Sequence, residues 1–433
     1  MKRVLFVFIL LGVLLGGFSC RSSQEEAGMP APAGVETPRE GMADTKFPPE
    51  WLDEIGFKVA WKMDFHTKLV NMFYIWSRDR LHGLYVETED HRLYKMNPKN
   101  GEVLWVVVLK EAISQSPYLY LYEGVRSIAE EEEELNRYEI TQMDLIIKRI
   151  LAMGKLTPEL YLITANKLVC IDDEHGRLLW EKHLPFGVSS PPIASYSYAY
   201  VADWRRRLFA LRKDNRTIDW DFAADGDLTA GGFSYDPGLF FADERGYVYC
   251  LNAATGKEIW RSKTLDRITS PPFFYQSRLF VGSWDGSVYA LRDNDGSVLW
   301  RFDCEYPVVD QPVAIDDPDK KVATVYAVTS KTVRKIFYAI DRTTGKERWR
   351  LRHGMRFLLQ GRHNAYILDI KGRICAVDLL KGIVRWQRPF NMVNFFVVNP
   401  SDRRAIKKEF GFYHIYCGFR NGLVYALEER EMY

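Results

Sequence analysis

The 433-residue chain is 47% hydrophobic and 14% aromatic, which excludes a disordered or low-complexity protein and is ample for a globular β protein. Its formal charge of +2 is accounted for by Lys2 and Arg3, so the rest is balanced and bulk attraction to nucleic acid or anionic lipid is not its binding principle. Cys20 lies in the leader, and the other five cysteines (Cys170, Cys250, Cys304, Cys375, Cys417) are odd in number and scattered. They read as small buried hydrophobes rather than a disulfide framework, with a single pair left open.

Residues 1–19 carry Lys2 and Arg3 and then an apolar run from Val4 to Leu15. This is an export signal, because a spanning helix needs about 20 apolar residues. The Ser19–Cys20 junction resembles a lipobox, departing from it at Gly17 and Phe18, and makes Cys20 the expected lipidation site. Residues 20–49, rich in Ala, Gly, Pro, Glu and Ser, are expected to form a flexible tether with a root-mean-square span of about 30 Å.

From residue 50 onward one unit recurs. Its clearest copy is LFFADERGYVYCLNAATGKEIW (239–260): three short alternating segments separated by two Gly-containing turns and closed by a Trp. LFVGSWDGSVYALRDNDGSVLW (279–300) and LYLITANKLVCIDDEHGRLLW (160–180) repeat it, as do 84–105, 199–220, 325–349 and 365–386. The closing Trp residues 105, 180, 220, 260, 300, 349 and 386 recur at a basic spacing of about 40, the period of a propeller blade. Eight segments of the YALD type occur, the last at Tyr425–Glu428 with no Trp strand after it. Lys58–Met63, which contains Trp61, supplies the missing strand and closes the ring. The expectation is an all-β, eight-bladed propeller of four-stranded blades over residues 50–433. The repeated Trp residues are expected to pack between neighbouring blades.

Three excursions interrupt the period. Blade 2 is expected to begin with a strand at Ser116–Gly124 and then to hold a helical insertion at 124–156. Ser127-x-x-Glu130 and Thr141-x-x-Asp144 mark helix starts there, followed by apolar residues from Leu135 to Leu151. It reads as a solvated acidic cap or as a partner-docking arm. DDPDKK (316–321) lengthens one hairpin, and NPSDRRAIKKEF (399–410) another, the latter a basic loop.

No constellation for chemistry stands out. The eight histidines lack metal-ligand spacing, and there is no Gly-x-Ser-x-Gly elbow or phosphate loop. Asp293–Gly296 and Asp225–Asp227 look like calcium-loop fragments, but neither has the Glu that would complete one, so they read as turns. No metal, no cofactor and no catalytic residue is expected.

The repeat LY-V-x(4)-G-x-LYALD-x-x-TG-x-x-LW resembles the PQQ-like propeller repeat over about 58–433. Together with the Ser19–Cys20 junction, it resembles the BamB family of lipoproteins of the outer-membrane barrel-assembly machinery. The resemblance implies a non-enzymatic docking scaffold, lipid-anchored on the periplasmic face of the outer membrane, with a BamA-like assembly barrel or another envelope protein as partner. By the same resemblance, Leu265 and Arg267 before Ser270–Pro271, and Asp310 before Pro312, are the candidate partner-binding residues. The alternatives are a quinone-dependent dehydrogenase, which shares the repeat, and a tethered ligand-binding or sensor propeller.

Overall fold

The computed structural model describes residues 47, 49–76, 81–120, 157–235, 237–317, 322–331, 334–361, 363–390, 393–398 and 414–430. The expected export signal, Cys20, most of the tether, the 124–156 insertion and the basic loop at 399–410 lie outside these residues.

The eight sheets each have four antiparallel strands, in consecutive order in seven blades. Blade 1 runs Leu69–Trp76, Leu81–Thr88, Arg92–Met96 and Val103–Val108. Blade 2 runs Tyr118–Tyr120, Glu159–Thr164, Lys167–Asp172 and Arg177–His183; the 121–156 span joins its first two strands. Blade 5 runs Phe273–Phe274, Arg278–Gly282, Ser287–Arg292 and Val298–Asp303. Blade 8 takes three strands from the C-terminal end, Phe395–Val398, His414–Gly418 and Leu423–Glu429. Its fourth is Phe57–Asp64, one residue longer at each end than the sequence pattern outlines, with Trp61 opposite Ala426. The ring is closed by the N-terminal strand.

The YALD segments are the third strands, paired on both sides. They are interior to each sheet but not innermost in the ring. The first strands of blades 8 and 1, 2 and 3, 3 and 4, and 7 and 8 lie against one another, so the first strands face the axis and the Trp strands form the outer edges. In all eight blades the third and fourth strands slip by one residue just before the Trp. Such a bulge bends and twists the strand and re-aims its side chain.

At six joints the Trp is aimed at the third-to-fourth-strand turn of the next blade. The indole N–H of Trp105 donates to Asp173 O at 2.8 Å, that of Trp260 to Asp293 O at 2.9 Å and that of Trp300 to Arg342 O at 2.9 Å. Trp61, Trp220 and Trp349 do the same. The ring lies on that turn's glycine: a Cβ on Gly296 (φ +68°) would come within 2.4 Å of Trp260. Trp180 differs because Arg216, at φ 59°, replaces the glycine and sets its guanidinium 6.0 Å from the ring. Trp386 differs because blade 8 ends at its third strand and its fourth comes from the other end of the chain.

The tether is not free up to residue 49. Phe47 is buried against Phe390, Phe419 and Tyr425, and Pro49–Ile55 forms a short helix, α1, leading into the closing strand. An aromatic in a polar stretch gains too much from burial to stay in water. All five described cysteines are free thiols, four of them buried and Cys304 half-buried.

Candidate functional site

The two loops carrying Leu265, Arg267 and Asp310 enter blades 5 and 6 and meet on one feature, the Ser283–Gly286 turn of blade 5. From the first loop, Arg267 O accepts from Trp284 N at 2.9 Å; from the second, Val308 N donates to Ser283 O at 3.0 Å. Gln311 Nε2 also reaches Pro272 O at 3.3 Å, tying the loops to each other. Gly282 permits this approach, since a Cβ there would stand 2.5 Å from Val308 Cγ1.

Local chemistry sorts the first loop into inward and outward residues. Thr264 is buried with its hydroxyl 2.6 Å from Asp266 O, and Ile268 is fully buried. Between them Leu265 is 74% exposed, more than any other large apolar side chain among the described residues. Its backbone N–H is held by Asp285 Oδ2 at 3.0 Å, so the chain is fixed while the side chain has nothing to pack on. The Arg267 guanidinium stacks 3.6 Å from the centre of the Trp284 ring, and Trp284 Nε1 donates to Thr269 Oγ1 at 2.9 Å. A stacked cation of this kind contributes roughly 0.5–2 kcal/mol and keeps the charge in one position.

Asp285 organises the centre. Its Oδ2 also accepts from Tyr289 OH at 2.6 Å, while its Oδ1 and the nearby Ser270 Oγ are buried with no hydrogen-bond partner. Burial, then that hydrogen bond, push the Tyr289 phenol up to about 12. Asp310 reaches solvent, and the protein packed beside its carboxyl raises its pKa against the opposing pull of Lys335 and Arg356. No ion pair joins Asp310 to Arg267 among the described residues, so both charges remain available to a third body.

The structure therefore brings Leu265 and Arg267 together and sets Asp310 on the adjoining loop. It adds Trp284, Asp285 and Thr269, which sequence reasoning missed. The signal for Trp284 and Asp285 is that SWDG stands in blade 5 where blade 4 has DERG. Blade 3 has a similar outward Trp, Trp204, leaning on Gly187 at 3.2 Å from where a Cβ would stand. Cys20 lies outside the described residues.

The calcium-loop fragments are spoken for. Asp225 Oδ2 accepts from Arg261 at 2.9 Å and lies 3.2 Å from Tyr249 OH, and Asp227 accepts from Arg206 at 2.7 Å. Asp295 caps its own turn through Ser297 N at 2.9 Å. Asp225, Asp227 and Asp295 are thus engaged within the protein, and among the described residues no group of three His, Cys, Asp or Glu side chains is arranged to hold a metal.

The family model described as outer membrane protein assembly factor BamB matches residues 157–238 and 244–395, more than half of the chain. A BamB of Legionella pneumophila (strain Paris) is 25% identical over 111 residues, which is 23% of this chain and 28% of that protein. Among solved structures, BamB from Moraxella catarrhalis superposes with a TM-score of 0.55 at 12% identity, over 84% of this chain and 99% of that one. The computationally designed Ika8 protein gives 0.55 at 10% identity over 84% and 97%. Quinohemoprotein alcohol dehydrogenase from Comamonas testosteroni gives 0.55 at 10% over 87% and 77%. A designed protein scores as well as an assembly factor and an enzyme, so these superpositions speak to fold alone.

Proposed function

Because the chain belongs to the family of outer membrane protein assembly factor BamB, we propose that it is a non-enzymatic docking scaffold in outer-membrane β-barrel assembly. On this reading it is exported, lipid-anchored through Cys20 and held on the periplasmic face of the outer membrane by its tether. Its partner is the BamA-like assembly barrel or another envelope protein.

The observation that carries the proposal is the convergence of two loops on the Ser283–Gly286 turn. There a rigid backbone presents the exposed Leu265 beside Arg267, fixed on Trp284, with Asp310 on the next loop. An apolar anchor with a polar rim, mounted on a β-sheet scaffold, is how few residues carry most of an interface's energy. No residue of this chain is assigned to redox chemistry, since the carboxylates that resemble a calcium loop are engaged by Arg206, Arg261 and Ser297.

The test is a crosslinked pull-down of the tagged protein from native membranes, read by mass spectrometry. An outer-membrane barrel with periplasmic repeats is expected among the products. Recovery should fall with Leu265→Asp, Arg267→Glu and Asp310→Arg, each by a factor of about 30 or more if it removes a hot spot of roughly 2 kcal/mol. Leu265→Asp is the cleanest of the three, because the side chain is outside the core and the fold is expected to be unchanged. Recovery of the protein alone, or with electron-transfer proteins, would overturn the proposal.

A further inference from the structure

The outer strands are the free edges of the eight blades, and seven of them are protected in the same way. From the Trp onward they read WEKH, WDFA, WRSK, WRFD, WRLR, WQRP and WKMD, each with at least one charged residue. Charges on an edge keep other strands from pairing with it. The outer strand of blade 1, Val103–Val108, reads WVVV from Trp105 and has no charge at all. Val108 is 54% exposed.

Among the described residues nothing pairs with the outer side of this strand's backbone. Leu109 N–H donates to His91 O at 2.7 Å, and the register continues inward with Val107 opposite Leu93 and Trp105 opposite Lys95. In an antiparallel ladder, bonded positions alternate. Trp105 and Val107 therefore turn their N–H and C=O groups to the neighbouring strand, and Val106 and Val108 turn theirs outward. Val103–Val108 ends its sheet, and no described residue hydrogen-bonds to those outward groups.

We propose that this edge pairs antiparallel with the same strand of a second copy of the chain, about a two-fold axis at Val106, joining two blade 1 sheets into one. The choice of occupant follows from charge. On such an axis the residue after the Trp meets itself, so in most other blades Arg, Lys, Glu or Asp would oppose its own like, which destabilises a cross-strand pair. Here Val106 meets Val106 and Leu104 meets Val108. The same register brings Glu102 toward Lys110 of the second copy, one complementary pair at each end. Both are exposed; Lys110 meets Glu181 at only 3.4 Å, and Glu102 meets Asn100 at 3.4 Å. The bulge beside Val103 bends the strand's start, so the ladder proper runs from Leu104 to Val108.

The test uses the purified full chain. Val106→Cys places two thiols on the axis with Cα atoms about 5.5 Å apart, within disulfide reach. Mild oxidation is expected to convert most of this variant to a covalent dimer, while the unsubstituted protein, with its own cysteines, stays at background. In sedimentation the unsubstituted protein is expected to show a concentration-dependent dimer that Val106→Lys abolishes. That variant should stay folded with only a modestly lower melting temperature, because Val106 is half-buried and sibling blades carry Arg or Lys at this position. A protein that stays monomeric at every concentration, with no disulfide-linked dimer of Val106→Cys on oxidation, would overturn the proposal. So would a dimer that survives Val106→Lys, or capture of the introduced thiol on a different protein in membranes. None of these outcomes bears on the docking loops of blades 5 and 6.

Discussion

The joint between blades 4 and 5 and the joint between blades 7 and 8 meet the same packing requirement with different parts. At the first, Trp260 donates to Asp293 O at 2.9 Å and lies on Gly296, whose positive φ and missing Cβ let the ring approach. At the second, Trp386 has no such turn to rest on. Tyr366 donates instead to Glu429 at 2.6 Å and packs edge-on against Phe57, while Arg388–Glu54 (2.8 Å) and Arg430–Asp53 (2.5 Å) tie α1 to the seam. The ordinary joint is one apolar lock repeated. The seam is assembled from the two ends of the chain, and its ion pairs are exposed and individually worth little.

That difference is open to measurement. Trp260→Ala removes a buried ring, a hydrogen bond and the contact with Gly296, and is expected to cost about 3–5 kcal/mol. Trp386→Ala, at a half-buried ring without the lock, is expected to cost about 1–2 kcal/mol. Urea midpoints of the two variants decide it. Equal losses would mean that the Trp-on-Gly contact is not what holds an ordinary joint.

The seam also holds a buried histidine. His414 lies in the second strand of blade 8, stacked on Tyr416 at 5.9 Å, and burial followed by the nearby Lys58 charge lowers its pKa from 6.5 to about 4. Between those two values the unfolded chain binds a proton that the folded chain refuses. The stability contributed by neutral His414 is therefore expected to fall as pH drops from about 6.5 to about 4, by up to roughly 3 kcal/mol, and to be constant above this window. Asp172 and Asp378, held down to about 2 in other blades, act only below 3.8, whereas burial raises Asp173 and Asp310, which act above 3.8 with the opposite sign, so the His414 contribution is read as the difference between the protein with and without this histidine. Thermal melts of His414→Phe against the unsubstituted protein should lose the slope between pH 6.5 and 4. A slope that persists would place the acid sensitivity elsewhere.

The ordinary joints were legible in the sequence because each is written within one repeat. The Trp, the turn glycine and their spacing recur, and period alone gives blade number and closure. The seam was only half legible. Trp61 marks the closing strand, but Phe47 and α1 depend on residues more than 300 positions away. The docking loops show the same limit. Leu265, Arg267 and Asp310 stand out by resemblance, whereas the Trp284 ring under Arg267 and the Asp285 carboxylate holding Leu265 are visible only once blades 4 to 6 are side by side. Lys95 is a further case. It stands where other repeats place Ala or Cys, and it is accommodated because Gly83 leaves room for its stem and Asp173 accepts its ammonium at 2.6 Å. A single repeat read alone presents that lysine as a mistake in the pattern.

The joint between blades 2 and 3 lies between these extremes and gives the smallest and sharpest test. Its turn keeps the backbone of the ordinary lock, with the N–H of residue 216 bonded to Arg212 O at 2.9 Å, as Gly256 bonds to Asn252 O. Arg216 occupies the glycine position at φ 59°, a conformation that costs a side-chain-bearing residue roughly 1 kcal/mol. What it gains in return is a cation 6.0 Å from the centre of the Trp180 ring, at the outer limit of a useful contact. Arg216→Gly should therefore stabilise the protein, by up to about 1 kcal/mol, and draw Trp180 onto the turn as at the neighbouring joints. Arg216→Ala, which keeps the strain and loses the cation, should destabilise it by a few tenths of a kcal/mol. If the glycine variant proves the less stable of the two, the guanidinium rather than the backbone governs this joint, and the Trp-on-Gly lock is one of two ways in which this ring fastens its blades.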